Sequence, residues 1–248
     1  MGSLQGHNIV VVGGSRGVGR AIVETVLSEG ATVLAVARGA ADLKQLAWER
    51  PRVKTLVADA TREAAPDAVF AALRPDVLVM SAGALAPSAP VQDQNWEDFS
   101  ANWEMDVKAS FLFCKAALQG GLKPGSRVVL ISSGAALSGG PPNSGGYAGA
   151  KRMQMFLAAH SQKESDRLGL GLRFMALAPM RIMAGTGVGQ GGIAGVSAYL
   201  GISPADFLAS MTDVQTHADV GRAVVALASC QAQGISFTVS GSGLAATA

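Results

Sequence analysis

Short apolar runs alternate with longer stretches of helical period along almost the whole chain, and this alternation constrains the fold more than any other feature. Repeated units of one buried strand and one helix predict a parallel sheet with helices on both faces. The predicted strands are residues 8–12, 32–37, 53–57, 76–80, 126–131, 170–178 and 235–239. The predicted helices are residues 18–28, 41–49, 64–73, 96–118, 147–168 and 218–229. We therefore predict an α/β fold, a doubly wound sheet of seven parallel strands.

The domain organisation follows from the continuity of this pattern. No linker or low-complexity segment interrupts it, and 49% hydrophobic residues in 248 suit one large core, so we predict a single domain over residues 1–248. Residues 1–7 are expected to form a short tail. Residues 183–210 break the rhythm with a glycine-rich, irregular stretch and a short amphipathic segment around 204–210. We interpret this segment as a lid over a substrate site.

Composition excludes several functional classes. The net charge is only +2, no run of Lys or Arg tracks a phosphate backbone, and aromatic residues are few, so nucleic-acid binding is not expected. Cys114 and Cys230 stand far apart without ligand-spaced partners, which predicts neither a disulfide framework nor a metal site. No signal peptide opens the sequence, and no apolar run reaches the roughly 20 residues that span a bilayer. We expect a cytoplasmic protein that binds no membrane.

A glycine-rich loop joins the first predicted strand to the first predicted helix. Its residues are Gly13, Gly14, Ser15, Arg16, Gly17, Val18 and Gly19. Glycine permits a tight turn, and the backbone N–H groups at a helix N-terminus attract a phosphate. The loop is therefore predicted to hold the pyrophosphate of a dinucleotide, although an ordinary strand-to-helix turn has a similar composition.

Two arginines distinguish between the two nicotinamide dinucleotides. Sites selective for NAD place a carboxylate at the end of the second strand, where it accepts hydrogen bonds from the adenosine ribose. This chain has Ala37 and Arg38 there instead, and Arg16 of the glycine loop can reach the same region. Two guanidiniums suit a 2′-phosphate. We predict NADP(H) as cofactor in preference to NAD(H), the alternative being that both arginines are ordinary surface residues.

Tyr147 and Lys151 lie four residues apart at the start of a predicted helix, so they share one face. A tyrosine with an unperturbed pKa of about 10 is a poor base at neutral pH, and a neighbouring ammonium stabilises its phenolate. Ser132 and Ser133 end a strand at the sheet edge that also carries the glycine loop. A serine there can donate a hydrogen bond to a carbonyl oxygen.

These motifs together resemble the short-chain dehydrogenase/reductase family, from the glycine spacing at 13, 17 and 19 through Ser, Tyr and Lys to the last strand. The resemblance covers nearly the whole chain and implies a Rossmann-type fold. It implies that Ser133 positions the substrate oxygen, that Tyr147 is the general acid or base, and that Lys151 assists Tyr147 and holds the nicotinamide ribose. The interval from Ser133 to Tyr147 is one residue longer than is common in the family, so Ser132 is kept as second choice.

Further positions take a role from the same resemblance. Residues expected to flank the adenine, ribose or nicotinamide are Asp59, Ala60, Ala82, Gly83, Pro179 and Ile182. Asp106 stands where the family usually has an Asn that supports a water chain to the lysine, and Asn102 is a weaker substitute for it. Other departures from the family pattern are Val12, Met80, Ser81 and Met180.

The implied activity is reversible hydride transfer between NADP(H) and a small carbonyl or secondary alcohol substrate. The departures motivate an alternative, a nucleotide-binding regulator or scaffold that has lost the chemistry. Dehydration or epimerisation of a nucleotide-linked sugar is a third alternative, and this chain lacks the length that such relatives use for a substrate domain. By resemblance, we expect the chain to form a homotetramer or homodimer in which helices 96–118 and 147–168 pack across two-fold axes.

Overall fold

The structure, a computed structural model, describes residues 2–85, 87–137, 140–229 and 233–247. Eight strands form one sheet in the order β3-β2-β1-β4-β5-β6-β7-β8. The strands are β1 (Asn8–Val12), β2 (Thr32–Ala37), β3 (Lys54–Val57), β4 (Val77–Met80), β5 (Arg127–Ile131), β6 (Arg173–Pro179), β7 (Ser236–Ser240) and β8 (Gly243–Ala246). Strands β1 to β7 are parallel, as predicted.

Helices cover both faces of the sheet. They are α1 (Gly17–Ser28), α2 (Ala40–Glu49), α3 (Ala65–Ala72), α4 (Trp96–Asn102), α5 (Lys108–Ala116), α6 (Gly145–Arg167), α7 (Gly187–Leu200), α8 (Pro204–Ser210) and α9 (His217–Ala228). The described residues also contain four shorter helical turns. Two are π-helical, Trp103–Val107 and Ala117–Gly121, and two are 3₁₀, Val91–Asp93 and Gly134–Ala136.

Alternate residues of the central strands, β1, β2, β4, β5 and β6, are buried in two separate cores. Ile9 and Val11 of β1 pack with Val220 of α9, whereas Val10 and Val12 face the core that contains Phe113 of α5. This period of two, with both sets buried, is what a sheet covered on both faces requires. It also explains why the strands are apolar throughout.

The prediction of seven strands was wrong by one. Strand β8 pairs antiparallel with β7 through a two-residue connection, Gly241 and Ser242. It contains Leu244 and two alanines but no β-branched residue, so composition gave little strand signal. The small residues around the connection were the available hint.

The prediction of an irregular stretch after residue 183 was also wrong in part. Residues Gly187–Leu200 form α7, in spite of five glycines within it and a sixth directly after it. The Thr186 side chain accepts a hydrogen bond from Gly189 N and caps the helix, and Gly201 ends it in the left-handed conformation with φ +67°. Tertiary packing and these two caps therefore override poor helix propensity. The amphipathic segment is α8.

The first residues are not a loose tail. Leu4 is fully buried, its N–H donates to the Glu29 carbonyl at 3.0 Å, and Ser3 donates to the Glu29 carboxylate. The single apolar side chain among polar neighbours was too weak a signal to predict this packing. Cys230 lies outside the described residues.

Among the described residues, no single helix has the length and apolar composition to cross a bilayer. Helices α7 and α8 pass that test only as a pair, and the pair is bent by 99°.

One polar contact joins the starts of β1 and β4. The Asn8 N–H donates to Asp76 Oδ2 at 2.8 Å, Asp76 N–H donates to the Asn8 carbonyl at 2.8 Å, and Lys123 Nζ lies 2.5 Å from Asp76 Oδ1. Partial burial raises the pKa of Asp76, but the Asn8 N–H and the Lys123 ammonium outweigh this effect, so the pKa lies below its usual value of 3.8.

We predict that Asp76→Asn lowers the free energy of unfolding by about 1–3 kcal/mol at neutral pH, because a charged acceptor is lost. A lowered pKa stabilises the folded state above pH 3.8 and ceases to do so as the pH falls through the lowered value. Urea unfolding of both proteins at neutral and at acidic pH measures the difference, with the exposed Asp93→Asn as control. A difference that stays constant down to acidic pH would contradict this account.

Candidate active site

A cavity of about 1140 Å³ opens at the carboxyl ends of the parallel strands. In doubly wound sheets this edge is where ligands bind. The lining includes these residues selected from the sequence: Gly13, Ser15, Arg16, Gly17, Val18, Gly19, Arg38, Ala60, Ala82, Gly83, Asp106, Ser132, Ser133, Tyr147, Lys151, Pro179 and Ile182. The fold therefore gathers residues that are up to 169 positions apart into one site.

The glycine loop fits tightly between β1, β2 and β4. Gly13 has φ +88°, and a Cβ on it would lie 2.4 Å from the Ala82 nitrogen. A Cβ on Gly19 would lie 2.0 Å from the Gly13 carbonyl oxygen. Both positions therefore require glycine for close backbone approach.

The N-terminus of α1 lines the cavity, and α1 itself places no acidic side chain there. Arg16 occupies the N-cap position in extended conformation, no side chain caps the helix, and the first turn contains no acidic residue. The first N–H groups of a helix have no intrahelical acceptor and carry positive potential. This end of the cavity suits a phosphate group.

The two arginines flank this end of the cavity. Arg16 and Arg38 are both exposed and both line it, and Asp42 of α2 lines it as well. Asp59, which the sequence placed beside the adenine, is not among the lining residues of the described chain. Its carboxylate accepts hydrogen bonds from Thr61 N at 3.0 Å and Thr61 Oγ1 at 2.8 Å, and these contacts hold its pKa below the usual value.

The two candidate serines have different environments. Ser132 is buried, and its Oγ donates to the Lys151 carbonyl at 2.8 Å. Ser133 is half-buried, and its Oγ accepts a hydrogen bond from Ala135 N at 3.2 Å. That contact uses a lone pair and leaves the O–H able to donate. The geometry thus favours Ser133 over Ser132 as the hydroxyl that faces a ligand.

Tyr147 and Lys151 share one face of α6, which begins at Gly145. Tyr147 is half-buried at the cavity wall, and Lys151 Nζ lies 5.7 Å from the centre of its ring. The ammonium is therefore close enough to stabilise negative charge on the phenol.

Lys151 is held by three protein acceptors. Its Nζ donates to the Ile131 carbonyl at 3.1 Å and to Gln154 Oε1 at 3.0 Å, and it lies 3.0 Å from Asp106 Oδ2. The Lys151 side chain is 8% exposed and that of Asp106 is 1% exposed, so this is a buried ion pair. An ammonium has three N–H donors, and these contacts account for all of them.

The Asp106 carboxylate is itself satisfied by further donors. Oδ1 accepts from Ala84 N at 2.8 Å, and Asn102 Nδ2 lies 3.3 Å from both carboxylate oxygens and 3.0 Å from the Ala84 carbonyl. Asp106 belongs to the π-helical turn Trp103–Val107 between α4 and α5. The structure thus places Asn102 beside Asp106 as a supporting donor and Asp106 directly on Lys151.

The charge state of Lys151 follows from these neighbours. Burial alone would lower the pKa of the ammonium, but the charges of Asp106 and Tyr147 and the hydrogen bond to Asp106 outweigh it, so the pKa lies above its usual value of 10.5. Lys151 therefore remains charged across the physiological range.

Sequence reasoning missed Gln154 and Ser110. Gln154 is fully buried, its Oε1 accepts from Lys151, and its Nε2 donates to Ser110 Oγ at 2.8 Å and lies 3.4 Å from the Asp106 carbonyl oxygen. The available signal was position: Gln154 is one helical turn beyond Lys151 on the same face.

Part of the cavity wall is apolar. It is contributed by the segments that follow β4 and β6 and by α7 and α8. The larger apolar residues there are Leu85, Met180, Ile182, Met183, Val188, Phe207 and Met211. Met180 N–H donates to Gln215 Oε1 at 3.0 Å and to the Val239 carbonyl at 2.9 Å, so hydrogen bonds fix the backbone of the segment after β6.

We predict that Asp106→Leu and Lys151→Met each lower the free energy of unfolding by about 3–5 kcal/mol, since either change leaves one buried charge unpaired. The double variant should lose less than the sum of the two single losses. Urea unfolding of the four proteins measures this coupling. Additive losses would show that the two charges do not interact.

Comparisons with known proteins agree with this architecture. A crystal structure of a short-chain dehydrogenase/reductase from Brucella melitensis, described as glucose/ribitol dehydrogenase, superimposes with a TM-score of 0.78 over 97% of both chains at 21% identity. At that identity the match shows the fold alone.

Curated sequence relatives match this chain over part of its length. A cyclic-di-GMP-binding biofilm dispersal mediator protein of Escherichia coli (strain K12) is 30% identical over 135 residues, 54% of this chain and 56% of that protein. An NADPH-dependent aldehyde reductase-like protein, chloroplastic, of Arabidopsis thaliana is 29% identical over 202 residues, 71% of this chain and 73% of that protein. The chain spans about half the length of several of the curated relatives that it matches.

The family model described as short chain dehydrogenase matches residues 7–190. This range contains the glycine loop, the serine at the end of β5, and both Tyr147 and Lys151. Since it covers well over half of the sequence, the chain belongs to the short-chain dehydrogenase/reductase family.

Proposed function

We propose that this protein is an NADP(H)-dependent oxidoreductase that interconverts a small carbonyl compound and its alcohol. The observation that carries the proposal is the convergence of Ser133, Tyr147 and Lys151 on the cavity that the glycine loop also lines. A phosphate-binding end and a proton-handling end in one cavity are what this reaction needs. We also propose that the chain is a single domain and that α7 and α8 form its lid.

The residues present fit a nicotinamide dinucleotide. The uncapped N-terminus of α1 and the glycine loop would hold the pyrophosphate, and Arg16 and Arg38 would hold a 2′-phosphate. Strand β2 ends in Ala37 and is followed by Arg38, where a site selective for NAD has a carboxylate. When bound, NADPH supplies the hydride for the carbonyl carbon.

The chain's own residues would handle the oxygen and its proton. The Ser133 O–H donates to the substrate oxygen and fixes its position. The Tyr147 O–H gives its proton to that oxygen during reduction, and the resulting phenolate takes a proton back during alcohol oxidation. Lys151, always charged, stabilises the phenolate. Apolar walls at the lid end favour a substrate with an apolar body beside its carbonyl.

A second candidate is a nucleotide-binding regulator that has lost catalysis. One relative is named for binding cyclic-di-GMP, and in this chain all three Lys151 donors already have protein acceptors. Retention of Ser133, Tyr147 and Lys151 in contact with the cavity favours the enzyme.

We predict that Tyr147→Phe lowers kcat by about 10²-fold or more, because the proton donor is lost. Binding of NADPH should be nearly unchanged. Steady-state NADPH oxidation with a panel of aldehydes and ketones measures turnover, and fluorescence titration measures binding. Tyr199→Phe, at the only other tyrosine, which is 60% exposed, is the matched control. Full activity in Tyr147→Phe would refute the proposal, and NADPH binding without turnover of any substrate by the wild type would favour the regulator.

We predict that Arg16→Ala and Arg38→Ala each weaken NADPH binding by about tenfold or more and leave NADH binding unchanged, since only NADPH carries a 2′-phosphate. Titration of each variant with both dinucleotides separates the effects. Arg52→Ala, an exposed arginine outside the cavity lining, serves as control. Equal losses for NADPH and NADH would rule out a 2′-phosphate clamp.

A further inference from the structure

The side chain of Gln154 has no role in the proposed reaction, yet it is fully buried and makes a specific contact with the central lysine. Both the nitrogen and the oxygen of its amide have hydrogen-bond partners. Nε2 donates to Ser110 Oγ at 2.8 Å and lies 3.4 Å from the Asp106 carbonyl oxygen, which leaves Oε1 directed at Lys151 Nζ at 3.0 Å. Ser110 Oγ is fixed in turn, because it donates to the Asp106 carbonyl at 2.7 Å.

The ammonium of Lys151 therefore rests among three protein acceptors: Asp106 Oδ2, the Ile131 carbonyl and Gln154 Oε1. To donate to a ribose hydroxyl, it must give up or share one of these bonds. The three acceptors are not equivalent. The bond to Asp106 is charge-assisted, and the Ile131 carbonyl is fixed by β5. Gln154 contributes a neutral side-chain amide, so the bond to it has neither the charge assistance of Asp106 nor the strand constraint of Ile131.

We propose that Gln154 is a positioning residue that holds Lys151 in a resting position, and that the nicotinamide ribose competes with the Gln154 carbonyl for one N–H of the ammonium. Binding of the dinucleotide then carries the cost of one exchanged buried hydrogen bond. This inference rests on the proposed NADP(H) binding and adds a determinant of its affinity. The titratable groups that bear on Lys151 are Asp106 from the π-helical turn and Tyr147 from α6.

The experiment compares NADPH binding with the stability of the free protein. Gln154→Met keeps the length of the side chain and removes the strong acceptor, so one N–H of Lys151 lacks a good partner until the ribose arrives. We expect a lower melting temperature for the free protein, NADPH bound about five- to tenfold more tightly than by the wild type, and a larger NADPH-induced rise in melting temperature. A purely structural role would weaken stability and binding together.

Two further variants keep the test decisive if Gln154→Met folds poorly. Gln154→Glu retains the acceptor and adds negative charge, so Lys151 is held more firmly and NADPH should bind more weakly. Ser110→Ala removes the partner of Gln154 Nε2 and keeps the acceptor for Lys151, so it should lower stability without tightening NADPH binding. Unchanged affinity in Gln154→Glu would overturn the inference.

A shortened ligand locates the effect within the dinucleotide. Adenosine 2′,5′-bisphosphate carries the adenine half and lacks the nicotinamide ribose, so its affinity should be the same in the wild type and in Gln154→Met. Equal tightening of this ligand and of NADPH would overturn the inference. If the wild type binds neither ligand, the proposed function itself fails, whereas normal wild-type binding with no tightening in Gln154→Met refutes the role of Gln154 alone.

Discussion

The buried ion pair between Lys151 and Asp106 is the interaction on which the proposed site depends. Removing two charges from water is expensive, and such a pair persists only when its other donors and acceptors are satisfied. Here Ala84 N and Asn102 complete the shell of the carboxylate, while Ile131 and Gln154 complete that of the ammonium. The pair therefore joins the ends of β4 and β5, the π-helical turn and α6 at one point.

This network gives Lys151 a different setting from the one that the family resemblance implies. In the family pattern, an Asn at the position of Asp106 supports a water chain to the lysine. In this chain, protein groups contact the ammonium directly. Asp106 Oδ2 lies 3.0 Å from Lys151 Nζ, so a carboxylate is in direct contact with the ammonium. The departure at Asp106 is thus compensated within the buried shell.

Much of the fold could be predicted from the sequence because strands buried on both faces are apolar throughout. Strands β1 and β2 begin and end at the predicted residues, and the ends of the other predicted strands and helices differ by no more than three residues, apart from the long helix after β4. That helix was predicted as one element, but π-helical turns divide it, and apolar periodicity does not report such turns. Strand β8 was missed because glycine and alanine are poor strand formers, and helix α7 was missed because glycine is a poor helix former.

The candidate site was predictable in its members but not in its contacts. Glycine spacing and the Tyr-x-x-x-Lys pattern identified residues that line one cavity, and a choice between Ser132 and Ser133 required their hydrogen bonds. The role of Gln154 depends on a partner 44 residues away, Ser110, and no local pattern encodes that distance.

A crystal structure of the complex with NADP⁺ would show directly whether one cavity holds the whole dinucleotide. We expect the 2′-phosphate between Arg16 and Arg38, the pyrophosphate at the N-terminus of α1, and the nicotinamide beside Tyr147 and Ser133. A dinucleotide bound elsewhere, or one whose nicotinamide end lies away from Tyr147, would contradict this expectation.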